Sequence, residues 1–258
     1  MKKIIIILLG ALFMMYGCEK NPTDSGDNII ELSYNEQMAI VAAEISHSNG
    51  GMMADLEMAT ATAITGQPGS LLKPSGYDTT FTSNWITFSL SLAFYTADGR
   101  EQSIYVENLT DKIVYSSSLT GDYSVEGARQ EIQLQKSSSL DISGITTETL
   151  DFSGTSTNNS SYIFKGLRND LAVKVESVYA VTNLILNKNS ASYIPLSGKL
   201  ECSFKGVYSR DGVIKDKSVE YSFNVAIEFN GGSQVIVTLP SGNKFTLDLV
   251  SGDYSENN

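Results

Sequence analysis

Val219-Glu220-Tyr221-Ser222-Phe223-Asn224-Val225-Ala226-Ile227-Glu228-Phe229 alternates apolar residues with polar or small ones along its whole length. Successive side chains of a β-strand point to opposite faces, so this stretch is a strand with one face buried and one face wet. Asn230-Gly231-Gly232 turns it into Val235-Ile236-Val237, and Pro240-Ser241-Gly242-Asn243 turns that into Phe245, Leu247 and Leu249. Three strands joined by Gly- and Asn-bearing turns make an antiparallel meander.

The same period extends upstream. Leu200, Cys202, Phe204 and Tyr208 alternate before a turn at Arg210-Asp211-Gly212, and residues 171–187 form a further long segment. Ile86, Phe88, Leu90, Leu92 and Phe94 face one way, with Thr87, Ser89, Ser91 and Ala93 between them. Ala97-Asp98-Gly99-Arg100 then turns the chain into a return strand at Ile104-Tyr105-Val106. Leu140-Asp141-Ile142-Ser143-Gly144 recurs as Leu150-Asp151-Phe152-Ser153-Gly154, and Gly121-Asp122-Tyr123-Ser124 as Gly252-Asp253-Tyr254-Ser255. The ten-residue spacing reads as strand-plus-turn units, too few for a solenoid or propeller. The count is about ten strands, and a twisted sheet of that size curls or splits.

Residues 33–65 carry a different period. Ser33-Tyr34-Asn35-Glu36 fits a capping box, in which serine and glutamate satisfy backbone donors at a helix start. Met38, Val41, Ala42 and Ile45 follow at helical spacing, Ser48-Asn49-Gly50-Gly51 breaks the run, and Met53, Leu56 and Ala63 place a second helix before Gly66-Gln67-Pro68-Gly69. The expected fold is mainly β: a large curved antiparallel meander over about 81–251, as a partial barrel or a sandwich, with one or two N-terminal helices packed on it. It forms a single domain, 33–258.

The N-terminus reads as an address. Met1-Lys2-Lys3 precedes an apolar run from Ile4 to Gly17 that ends at Cys18. A basic start and a short apolar run have the layout of a secretory signal, and the run is short for a bilayer span. Gly17-Cys18 resembles the lipobox of bacterial lipoproteins, although Met15 and Tyr16 are looser than that pattern. The resemblance implies removal of residues 1–17 and lipid on Cys18, with acyl chains such as palmitate holding the chain to a membrane. Residues 18–32, with Pro22 and Gly26, then read as a flexible tether. Glu19 after the cysteine resembles outer-membrane sorting, on the periplasmic or the surface side of the cell envelope. The stretch Tyr193 to Gly252, through Pro195-Leu196-Ser197-Gly198, Phe229-Asn230-Gly231 and Pro240 to Leu249, is similar to the ends of uncharacterised β-rich envelope lipoproteins. That resemblance implies a β meander and no activity.

Composition narrows the partners. The chain has 18 basic and 29 acidic residues, a formal charge of −11. Loss of Lys2 and Lys3 with the signal takes it to −13. Such a surface repels nucleic acid and anionic headgroups, so no nucleic-acid partner is expected. Of two cysteines, Cys18 is committed to lipid, which leaves Cys202 without an intrachain partner and most simply a buried core thiol.

The catalytic vocabulary is thin. His47 is the single histidine, so a Ser-His-Asp or Cys-His site has no other base to use. Glu44 and His47 are spaced as half of a carboxylate metal site, but the other half is missing, and a helix-end or surface role is the simpler reading. The Asp-Gly pairs read as turns rather than calcium loops, and no phosphate-cradling loop is present. Glu220 and Glu228, or Asp141 and Asp151, are the carboxylates to inspect for glycoside hydrolysis, which depends on spacing in three dimensions. Tyr77, Trp85, Tyr95 and Tyr105 are the aromatics to inspect for a glycan platform. Asp78-Thr79-Thr80 resembles an O-glycosylation acceptor of Bacteroidetes-type bacteria and is expected in a loop.

The expectation is therefore a non-enzymatic, membrane-anchored envelope lipoprotein with a structural or binding role, without metal or cofactor. One alternative is a carrier holding a lipid or other apolar ligand between helices and curved sheet, with Met52, Met53 and Met58 as an adaptable lid. A second is an extracellular glycan-binding protein.

Overall fold

The computed structural model describes residues 32–65, 78–124, 130–165, 170–188, 193–211 and 217–257. The signal segment, Cys18, the tether, Tyr77, Gly212 and the Gly66–Gly69 break lie outside them. Two helices, α1 (Tyr34–Ile45) and α2 (Met52–Thr65), precede twelve strands. These are β1 (Asp78–Ser83), β2 (Ile86–Thr96), β3 (Glu101–Gln102), β4 (Thr110–Ser124), β5 (Gln130–Ser143), β6 (Thr149–Lys165), β7 (Asp170–Asn187), β8 (Ser197–Asp211), β9 (Lys217–Phe229), β10 (Gln234–Thr238), β11 (Lys244–Asp248) and β12 (Tyr254–Glu256).

Strand order follows chain order, β1-β2-β4-β5-β6-β7-β8-β9-β10-β11-β12, every pair antiparallel, with β3 pairing only with β2. The sheet is an open meander; β1 and β12 are its free ends, so neither a closed barrel nor a two-sheet sandwich forms. Its central strands are unusually long, up to the 18 residues of β7. Register shifts interrupt their pairing at three places among the described residues. At one of them, between Thr182 and Ile185, Asn183 takes φ 47° and its N–H meets Ser153 Oγ at 3.2 Å.

The helices form as the sequence dictates. Ser33 Oγ accepts from the Glu36 N–H while Glu36 Oε2 accepts from the Ser33 N–H at 2.8 Å, which completes the capping box. Met38, Val41, Ala42 and Ile45 of α1, with Met52, Met53, Leu56, Ala59 and Ala63 of α2, are buried against the sheet. Burial of each large side chain contributes roughly 1.5–3 kcal/mol. The turn between the helices requires Gly51: a Cβ there would lie 2.4 Å from the Glu44 carbonyl oxygen. His47 and Ser48 donate their N–H groups to Leu249 O and Val250 O, and Tyr254 Oη donates to Asn35 O. α1 thus touches both the middle of the sheet and its last strands, and the sheet curls around the helix pair.

Three sequence expectations change. Asp78-Thr79-Thr80 lies in strand β1, paired with Ser91, Leu90 and Ser89, because β-branched Thr79, Thr80 and Thr82 extend the edge of β2. Ile104-Tyr105-Val106 is a connection rather than a strand; the short return is β3, and Thr110 Oγ ties the loop by accepting from the Val106 N–H at 2.9 Å. The ten-residue repeat is one hairpin seen twice: Leu140 faces Gly154 and Ile142 faces Phe152 across β5 and β6. Gly144 ends β5 at φ +77°, whereas Gly154 sits inside β6, where a Cβ would lie 2.2 Å from Ser139 O.

Candidate functional site

The two faces of the sheet differ in kind. The inner face carries Phe88, Leu90, Ile113, Tyr115, Leu140, Phe152, Phe204 and Phe223 against the helices, but its centre is polar. Register aligns Lys136, Asn158, Ser177 and Phe204 in one row across β5 to β8, and Ser138, Ser156, Tyr179 and Cys202 in the next. The helices bring two carboxylates onto these rows. Glu44 of α1, 7% exposed, accepts on Oε2 from Asn158 Nδ2 (2.8 Å), Ser177 Oγ (2.8 Å) and Tyr179 Oη (2.6 Å). Ser160 Oγ donates to Asn158 Oδ1 (2.5 Å) and so orients that amide toward Glu44. Asp55 of α2 is half-buried beside Lys136, whose ammonium donates to Gly50 O at 2.7 Å.

Loss of solvent dominates the electrostatics of this island. It pushes the Tyr179 hydroxyl and the Cys202 thiol up, and the nearby Glu44 charge pushes both in the same direction. Cys202 is free, buried and held as a thiol, which makes it a packing group rather than a nucleophile. Burial also raises the Asp55 pKa, opposed by Lys136 and assisted by Glu44. Because the folded value lies above the unfolded one, ionisation of Asp55 costs stability progressively as pH rises from about 4 through the folded pKa. Asp55→Asn removes that cost. The melting temperature of this variant minus that of wild type is therefore expected to be near zero at pH 3.5 and positive at pH 7. A flat difference across that range sinks the assignment.

A small recess lies beside α1 on the inner face. The recess between Ala39, Ile40 and Ala43 on one side and Tyr162, Val173 and Tyr208 on the other measures about 40 Å3, room for about one water. Met52 and Met53 are buried and Met58 packs against the core.

The outer face is hydrophilic and open. Between β2 and β7 it is indented by a groove of about 600 Å3. One lining row is Thr87, Thr120, Gln135 and Asn159, and the next is Asp122, Gln133, Ser161 and Lys174; both follow from register. Ser161 Oγ donates to Gln133 Oε1 at 3.3 Å. Lys174 Nζ lies 3.1 Å from Glu176, which also pairs with Lys205 at 2.9 Å, and the two lysines hold the Glu176 carboxyl below the usual range.

The other candidates do not converge. Glu44 is buried in the sheet while half-exposed His47 meets Glu57, so no shared metal geometry arises, and no cluster able to hold a metal ion occurs among the described residues. Glu220 and Glu228 are exposed at opposite ends of β9, about 26 Å apart by strand rise. Asp141 pairs with Lys112 at 2.7 Å, and Asp151 Oδ1 on the next strand is buried without a hydrogen-bond partner. Trp85 packs edge-on against Tyr123 and over Gly121, Tyr105 packs against Phe94, and Tyr95 lies at the far end of β2. No aromatic platform is assembled from them.

No family model matches this chain, and no curated protein or solved structure matches it either. Both candidate surfaces escape a hydropathy reading, because each is made of Ser, Thr, Asn and Gln in strands. The signal within reach was Glu44 and Asp55, carboxylates three residues after Val41 and Met52 on otherwise buried helix faces.

Proposed function

We propose that this chain is a lipid-anchored envelope protein with a non-enzymatic binding role, its ligand face being the outer face of the open sheet. The observation that carries the binding role is the contrast between faces: one packs against the helices, while the other is left uncovered by the described residues and indented by a groove of about 600 Å3. That volume falls within the range of small-molecule sites. The anchor rests on the sequence, on the basic start, the apolar run and Gly17-Cys18. The recess beside α1, about 40 Å3, is far below the volume of an acyl chain and does not hold one.

The anchor is tested by expressing the full chain with labelled palmitate and fractionating the cells. Wild type is expected to incorporate label and to sediment with outer membranes. Cys18→Ala is expected to lose both label and membrane association. Equal labelling of the two chains, or a soluble wild type, removes the lipoprotein reading.

A further inference from the structure

We infer that the outer-face groove binds an uncharged polyhydroxylated ligand, a segment of neutral glycan lying across β2, β4, β5, β6 and β7. The inference rests on the outer face being the ligand face and names the chemistry that face suits. Gln133, Gln135 and Asn159 each offer a carbonyl acceptor and two N–H donors, and Thr87, Thr120 and Ser161 each offer a hydroxyl that both donates and accepts. A lining of mixed neutral donors and acceptors complements ligand groups that are themselves both, which describes sugar hydroxyls.

Other ligand chemistries fit less well. The lining's large apolar side chains are Trp85, which packs against Tyr123 and over Gly121, and Leu134, which is buried, so an apolar ligand meets little free apolar side-chain surface. A polyanion meets a chain of net charge −11, and the groove's one lysine, Lys174, is already paired with Glu176. A polycation finds a single carboxylate, Asp122, in the lining. A peptide cannot add as a strand, because β4, β5 and β6 are paired on both sides and present no free edge.

Size and surroundings agree with an oligomer. Five adjacent strands span about 19 Å across the sheet. Beside the groove runs a further uncharged row, Ser89, Ser118, Ser137 and Thr157, set by register. Its hydroxyls pair across strands, Thr80 with Ser89 at 3.0 Å and Ser137 with Thr157 at 2.8 Å, so the hydroxylated surface continues past the groove.

The test is titration of the full chain, in a polyoxyethylene detergent, with cellohexaose, maltohexaose and xylohexaose, followed by calorimetry and amide NMR. Hexagalacturonate and a capped uncharged peptide serve as the other classes. At least one neutral hexasaccharide is expected to bind with Kd below about 1 mM. Gln133→Ala combined with Asn159→Ala is expected to weaken it at least tenfold at unchanged melting temperature, while Ser203→Ala on β8 leaves it unaltered. Binding that survives the double variant, or no binding of any neutral sugar, overturns the glycan inference. If the peptide or hexagalacturonate shifts the groove amides instead, the ligand class is wrong and the ligand face stands. If no probe of any class shifts them, both readings fall.

Discussion

Glu44→Ala is expected to lower unfolding stability by about 3–5 kcal/mol, read as a drop in the urea midpoint at unchanged slope. The loss comes from what the carboxylate leaves behind. Asn158 Nδ2, Ser177 Oγ and Tyr179 Oη all donate to Glu44 Oε2. Each buried donor stranded without an acceptor costs about 1–3 kcal/mol, and a water entering the vacated space recovers part of it. Glu44→Gln keeps an amide oxygen with two lone pairs where three donors converge, so its loss is expected to be smaller but not zero. Tyr179→Phe removes one donor and leaves the carboxylate two partners; it is expected to cost about 1 kcal/mol. A Glu44→Ala variant as stable as wild type means that the helix is held by its apolar stripe alone.

The same residues explain which parts of the fold were legible. The β9–β11 meander and β2 announce themselves because their inward positions are Val, Phe, Ile, Leu and Tyr, so hydropathy alternates with the pleat. α1 announces itself through Ser33 and Glu36. The middle of β5 and β6 does not. There the inward positions are Lys136, Ser138, Ser156, Asn158 and Ser160, chosen to meet Glu44 and Asp55 or one another, so polar residues occupy both faces and the period disappears. The strands around the buried carboxylates and the carboxylates themselves were hidden by one cause. The bulge at Asn183 and the short β3 were hidden by another: both are set by pairing between neighbours, which no local pattern records.

The outer groove is a third case. Thr87, Thr120, Gln135 and Asn159 come from four strands, and only the register brings them into one row. In the sequence each is an ordinary wet position. Trp85, at the β1–β2 turn, packs over Gly121 and beside Tyr123 and also borders the groove.

Phe204→Ala is expected to cost about 3–5 kcal/mol, and Phe204→Leu less than about 1.5. Phe204 is 1% exposed, its ring centroid lies 5.3 Å from that of Phe223 and 6.2 Å from that of Tyr179, and it continues the row that begins with Lys136, Asn158 and Ser177. It marks the boundary at which the polar island gives way to aromatic packing. Truncation opens a cavity beside Tyr179, and the Tyr179 ring is the group placed to relax into it. That movement draws Oη away from Glu44, so the two sites are coupled through one side chain. In a double-mutant cycle, Glu44→Ala is expected to cost at least 0.5 kcal/mol less in the Phe204→Ala background than in wild type. Additivity would show that Tyr179 keeps its bond to Glu44 without the ring beside it, and that hydrogen bonding alone, rather than packing with it, fixes the helix on the sheet.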